Sequence, residues 1–207
     1  MLSGMLPSRV SLTLLLAVPL VGGCHIFSHT YQPYDYASEP DPRKQSFVLG
    51  PSDVLHITVW RNPDLSGDAV VRPDGTITVP LVGDLKAAGR TSEEVRKELT
   101  QRLATYIKDD SAVVTVAVTA INSYRFTVSG NVERPGTYNS SHYVTVSEAM
   151  ALAGGPNRYA APEDMVVIRN DAAKGSRRIP VDYPDMVSGK CPEQNLALLS
   201  GDVVYVP

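Results

Sequence analysis

Regular alternation of apolar and polar residues begins at Phe47. In "VLHITVW" it sets Leu55, Ile57 and Val59 on one face and His56, Thr58 and Trp60 on the other, the period-two pattern of a half-buried strand. "VVRPDGTITVPLVG" predicts a hairpin, with Pro73, Asp74 and Gly75 supplying the turn while Ile77, Val79 and Leu81 point together toward a core. The period then becomes helical. In "TSEEVRKELTQRLATYI" Val95, Leu99, Leu103 and Tyr106 share one stripe, and Thr91 with Glu94 makes a capping box. "AVVTVAV" returns to strand, with Val114, Val116 and Val118 on one face. The expected unit is one helix packed on a small mixed sheet.

A second block repeats this grammar. "YRFTVSGNVERPGTY" gives strand signals interrupted by Gly130 and by Pro135-Gly136, where proline fixes φ and Gly136 is expected to take a positive φ or a tight turn. In "TVSEAMALAGGP" Thr145 and Glu148 cap a short helix that buries Val146, Ala149, Met150 and Ala153, and Gly154, Gly155 and Pro156 end it. Strands follow at "MVVIR", "RRIPVD" and "DVVYVP". A short helix across a curved sheet in this order predicts a β-grasp-like unit. The blocks meet near Asn122-Ser123, and the whole is of α+β class.

What precedes Phe47 has no such pattern. "MLPSRVSLTLLLAVPLVGGC" carries one positive charge, Arg9, and then an apolar run shorter than the roughly 18 to 20 residues of a bilayer span, as in an export signal. Val21-Gly22-Gly23-Cys24 resembles the bacterial lipobox, whose cysteine sulfur takes a diacylglycerol; an ordinary cleaved signal with an incidental cysteine is the alternative. His25, where an Asp would retain the protein, points to outer-membrane sorting. Residues 24–46 are rich in Pro, Tyr and charge and read as a tether, with Tyr31, Tyr34 and Tyr36 as mobile surface residues and a docking strip as the alternative. With Cys24 lipidated, Cys191 has no disulfide partner and is expected as a buried thiol.

Composition narrows the chemistry. Over 207 residues, 43% hydrophobic and 20% charged side chains make an ordinary globular chain of one or two domains. The net charge of -3, with no dense Lys/Arg stripe, argues against a nucleic-acid partner. None of His25, His29, His56 and His142 stands in a metal-ligand spacing, and "SSHY" at residues 140–143 lacks a nucleophile-elbow context. Asp53, Asp74, Glu94 and Glu148 read as turn or cap residues. Gly154-Gly155 closes a helix, where the carbonyl end disfavours anions. No catalytic residue, metal or cofactor is expected, and the chain reads as something other than an enzyme.

In order, these segments resemble one family. "FVLGPSDVLHITVW", with Gly50, Pro51 and Asp53, is similar to the opening of the polysaccharide-export domain of bacterial outer-membrane polysaccharide export proteins, the Wza-type capsule translocons. "VRPDGTITVPLVGDLKAAGRTSEEV", with Arg72, Pro73, Asp74 and Gly75, is similar to that domain's most recognisable stretch. "VSGNVERPGTY", with Gly130, Pro135 and Gly136, and "VSEAMALAGGP", with Gly154 and Gly155, resemble the soluble-ligand-binding β-grasp (SLBB) module, and "GDVVYVP" its closing strand. The resemblance implies a signal peptide over 1–23, a tether over 24–46, a polysaccharide-export domain over 47–121 and an SLBB domain over 122–207.

It also implies a homo-oligomeric ring, lipid-anchored at Cys24 to the periplasmic face of the outer membrane, that gives a polysaccharide chain a protected route outward. The motif glycines and prolines would serve structure and assembly. Longer members carry further SLBB copies and a C-terminal amphipathic pore helix, which has no counterpart before Pro207. The expectation is therefore a collar working with a separate integral outer-membrane β-barrel and an inner-membrane polysaccharide copolymerase. The alternative is a periplasmic sensor binding glycan or a small ligand in its β-grasp unit. Trp60 either packs at a domain edge or stacks on a sugar, and Arg72 either serves the turn or meets a neighbouring subunit or the glycan.

Overall fold

The computed structural model describes residues 34–107, 113–171 and 175–207. The chain divides into two units, Met1–Pro33 and Tyr34–Pro207. The proposed signal, Cys24, His25, His29 and Tyr31 lie outside the described residues.

From Tyr34 onward two hydrophobic cores form in succession. The first is built by β1 (Val54–Val59), β2 (Gly67–Val70), β3 (Thr76–Val79), β4 (Gly83–Lys86), α1 (Ser92–Leu103) and β5 (Val114–Ala120). Antiparallel pairing gives a three-stranded sheet in the order β2-β1-β5 and a separate β3-β4 hairpin. Leu55, Ile57 and Val59 of β1 are buried against Val95, Leu99 and Leu103 of α1, as their periods require. The Thr91/Glu94 capping box starts α1.

Three positions in this domain depart from expectation. The Pro73-Asp74-Gly75 turn does not join paired strands: β2 pairs with β1 and β3 with β4, so it is a corner between two small sheets. Leu81 is 58% exposed with a φ of 64°, because the Val79 to Gly83 register leaves it at the apex of the β3-β4 loop. Tyr106 is 59% exposed. The helix ends at Leu103, and Ile107 packs against the core in its place.

The second core is built by β6 (Arg125–Gly130), β7 (Gly136–Asn139), α2 (Val146–Leu152), β8 (Met165–Asp171), β9 (Gly175–Val181), α3 (Tyr183–Ser188) and β10 (Val203–Val206). The five-stranded sheet has the order β7-β6-β10-β8-β9. Only β6 and β10 run parallel. The first and last strands thus lie side by side at the centre, and everything between them is the long crossover a parallel pair needs. This is the β-grasp arrangement. Phe126, Val128, Met165, Val167, Ile179, Val181, Val204 and Val206 share a core with Val146, Ala149 and Met150 of α2. The Thr145/Glu148 capping box is formed. The fold is α+β, and among the described residues its one parallel strand pair lies in the second domain.

Gly136 opens β7 without a positive φ, and a Cβ there would meet nothing within 4 Å. The constrained glycine is Gly130: its φ is 88°, and a Cβ would fall 1.9 Å from the Val206 carbonyl oxygen of the neighbouring strand. Cys191 is half-buried, where full burial was expected. Helix α3, absent from the sequence reading, is capped by Asp182, which accepts from the Asp185 N–H at 2.8 Å.

The expected tether is docked from Tyr34 onward. Tyr34 and Tyr36 pack against the second core, and the Tyr36 hydroxyl donates to the Pro180 carbonyl at 2.9 Å. A tyrosine ring can bury apolar area while its hydroxyl finds a polar partner, which is how a segment without periodicity becomes ordered.

Candidate functional site

The family-motif residues converge on the junction between the two cores. Gly50, Pro51, Ser52 and Asp53 form a tight turn, with the Asp53 N–H donating to the Gly50 carbonyl at 3.3 Å. Pro51 suits the first corner of such a turn, and Ser52 takes the second with a φ of 76°. The turn aims the Asp53 side chain inward, where Asp53 is 0% exposed. One carboxylate oxygen accepts from the Asn122 and Ser123 N–H groups, both at 2.8 Å. The other accepts from the Gly50 N–H and the Ser123 hydroxyl, also at 2.8 Å. Among the described residues no cation pairs with this buried carboxylate, which is held by a nest of donors, most of them from the first residues of the second domain.

Two contacts extend this clasp. The Asn122 side-chain amide donates to the Ser52 carbonyl at 2.9 Å, and the Ser200 hydroxyl to the Ser123 carbonyl at 2.8 Å. Gly50 is required by proximity, since a Cβ would sit 2.5 Å from the Ser123 Cβ.

Arg72 serves its own corner. Its guanidinium reaches the Thr76 hydroxyl at 2.6 Å, Thr78 at 3.2 Å and Asp84 at 2.8 Å, with Asp74 at 3.4 Å. The Arg72 and Thr78 hydrogen bonds hold the Asp84 carboxyl below its ordinary range. Arg72 therefore braces the β3-β4 hairpin against the turn, and Gly75, with a φ of 79°, accepts the Ala87 and Ala88 N–H groups at 2.9 Å. In the second domain Gly154 and Gly155 close α2 with φ values of 82° and 84°, and the Pro135 loop docks on this helix end through the Arg134 N–H to Ala153 carbonyl bond of 2.8 Å and the Glu133 N–H to Gly155 carbonyl bond of 3.1 Å.

The histidines make local pairs. His56 meets Asp68 across the β1-β2 pair at 2.6 Å, and His142 meets Ser140 two residues away at 3.2 Å. Among the described residues no group of three or more His, Cys, Asp or Glu side chains is arranged to hold a metal. Trp60 is 60% exposed at the end of β1, beside the exposed Val113 whose carbonyl accepts its N–H at 3.0 Å. At the junction an open hollow of 230 Å³ is lined by Pro42, Phe47, Ser123, Tyr124, Tyr143 and Ser200.

Sequence reasoning missed a buried ionic cluster. Arg169 on β8 is bound by Asp202 at 2.6 Å and by Glu39 of the docked segment at 2.8 Å. Glu39 also meets Arg177 of β9 at 2.6 Å and accepts from the Tyr34 hydroxyl at 2.5 Å. Burial raises the Glu39 carboxyl, but Tyr34, Arg169 and Arg177 outweigh it and hold the group below its usual range. Desolvation and the same contact push Tyr34 up to about 12. The available signal was Arg169 itself, which continues the apolar face of Met165 and Val167 in "MVVIR".

Comparison with known proteins accords with this architecture. The model of the polysaccharide biosynthesis/export protein family matches residues 41–119, and that of the SLBB domain residues 125–182. The chain is 30% identical over 184 residues to the EPS I polysaccharide export outer membrane protein EpsA of Ralstonia solanacearum, covering 77% of this chain and 47% of that one. It is 35% identical over 130 residues to the exopolysaccharide production protein ExoF of Rhizobium meliloti, covering 56% of this chain and 30% of that one. It is 27% identical over 172 residues to the capsule polysaccharide export protein BexD of Haemophilus influenzae, covering 73% and 41%. The chain thus spans less than half the length of these relatives. With an export domain clasped to a β-grasp SLBB domain, the chain carries the polysaccharide biosynthesis/export and SLBB domains in succession and is similar to the outer-membrane polysaccharide export proteins.

Proposed function

We propose that this chain is a non-enzymatic component of a bacterial polysaccharide export system, held at the periplasmic face of the outer membrane by lipid on Cys24. In this reading several copies form a collar around the polymer's route. An integral outer-membrane β-barrel carries the polymer across the bilayer, and an inner-membrane copolymerase delivers it. The observation that carries the reading is the export domain and the SLBB domain joined into one body through the Asp53 clasp. A wall that guides a long polymer has to keep its parts in register, and a buried carboxylate shared between domains does that. The relatives named for export of EPS I and capsule polysaccharide support the substrate class.

The anchor rests on the lipobox pattern. Among the described residues no helix is long and apolar enough to cross a membrane. Acyl chains supply roughly 0.8 kcal/mol per buried CH₂, enough with two or more chains for stable attachment. Crosslinking in cells that are exporting polymer should trap the chain with an outer-membrane barrel and with the copolymerase. Capture of neither, in cells where export continues, would sink the collar reading. Cys24→Ser should move the chain to the soluble fraction, and unchanged membrane association would overturn the anchor.

A further inference from the structure

The segment ahead of the first domain is held by a different kind of contact from the rest of the molecule. The backbone hydrogen bonds of residues 34–45 close within the segment, as from the Tyr36 N–H to Tyr34 and from Gln45 to Pro42. Bonding to a domain begins at Leu49, whose N–H donates to the Arg90 carbonyl at 2.8 Å. Before Leu49 the grip on the second domain is by side chains: the Tyr34 and Tyr36 rings, and above all Glu39, whose side chain is 1% exposed.

The Glu39 seat is asymmetric. Arg169 and Arg177 are direct cross-strand partners, two like charges facing one another on the core side of the sheet. Arg169 is pinned independently of Glu39, by Asp202 and by the Ala197 carbonyl at 3.1 Å. Arg177 has Glu39 as its ion-pair partner, its Nε is buried without a hydrogen bond among the described residues, and its side chain is 25% exposed. Removal of the carboxylate would therefore leave Arg169 in place and drive Arg177 outward to water.

We propose that residues 34–46 form a releasable latch, whose bolt is the Glu39 carboxylate seated between Arg169 and Arg177 and whose opening frees the leading chain from the second domain. On the reading that Cys24 carries the lipid, the latch sets how far the domains stand from the membrane. Closed, it leaves about ten residues after Cys24, a reach of roughly 35 Å; open, about 25 residues and roughly 85 Å. The same seat, once vacated, is a receptor for a carboxylate.

Hydrogen exchange on the purified full-length chain in detergent tests this. In Glu39→Gln and Arg177→Gln the amides of residues 34–46 should exchange about tenfold faster or more, while β6, β8 and β10 keep their protection. In Glu39→Gly, formate should raise the melting temperature relative to chloride of equal ionic strength without restoring protection to the segment. Wild-type exchange of the segment in both glutamine variants would overturn the latch, as would equal acceleration of segment and central strands. No effect of formate would overturn the carboxylate seat. None of these readouts depends on acylation, so failure of the anchor removes only the consequence for reach.

Discussion

A buried carboxylate without a cation survives only where donors converge on it, and Asp53 has the N–H groups of Gly50, Asn122 and Ser123 and the Ser123 hydroxyl. Asp53→Asn turns an acceptor into an amide that faces these donors, and should cost about 3 kcal/mol in urea denaturation. Gly130→Ala should cost more than about 2 kcal/mol, because its Cβ would overlap the Val206 carbonyl, whereas Gly136→Ala should stay within about 0.5 kcal/mol. Glu39 carries a pH dependence. Its folded pKa lies below the unfolded one, so its contribution is present above the unfolded value and is lost as pH falls through the folded one. Tyr34, Arg169 and Arg177 face it, with Asp202 on the far side of Arg169, and Tyr34, raised to about 12, stays protonated across this range. Exchange protection of residues 34–46 should therefore hold from neutral pH down to the ordinary carboxylate range and fall away only below that range, as the Glu39 carboxylate takes up a proton. Asp53 was legible as a turn residue, but its role as a clasp was not, because its donors at Asn122 and Ser123 lie 69 and 70 residues away.

Elements were legible where a single period and a cap agree. Both helices with capping boxes occur where their Thr and Glu spacing places them, since the box satisfies backbone N–H groups locally whatever the tertiary context. Thr91→Ala should lower the stability of the first domain by about 1 kcal/mol, read as a lowered melting temperature. Pairing was less legible. "VRPDGT" has the composition of a hairpin turn, yet β2 and β3 join different partners, a choice made by burial around β1 and not by the turn. Residues 34–46 were invisible as an element because their order comes from tyrosine rings and one ionic seat, which have no period. Strand β10 was read correctly as the closing strand, and its place between β6 and β8 makes it structural for the whole second domain. A chain shortened to end at Asp202 should lose the second domain's cooperative unfolding transition, since two neighbours would lose their central partner.

In the whole molecule, the proposed export role requires the two domains to act together in moving a polymer. The domain order was legible because each domain carries its own glycine and proline punctuation, and the clasp then explains why Gly50 and Asp53 belong to the first motif while contacting the second domain. A sensor would require only the β-grasp unit. An export component requires the joined body at the membrane. The most direct measurement is the distribution of polysaccharide between cell surface and cell interior, in cells lacking the chain and in the same cells resupplied with it. Polymer should still be made without the chain but fail to reach the surface, and the wild-type chain should restore it while Asp53→Asn at an equal chain level does not. Surface polymer unchanged by the loss of the chain, or polymer missing from interior and surface alike, would contradict the proposed export role.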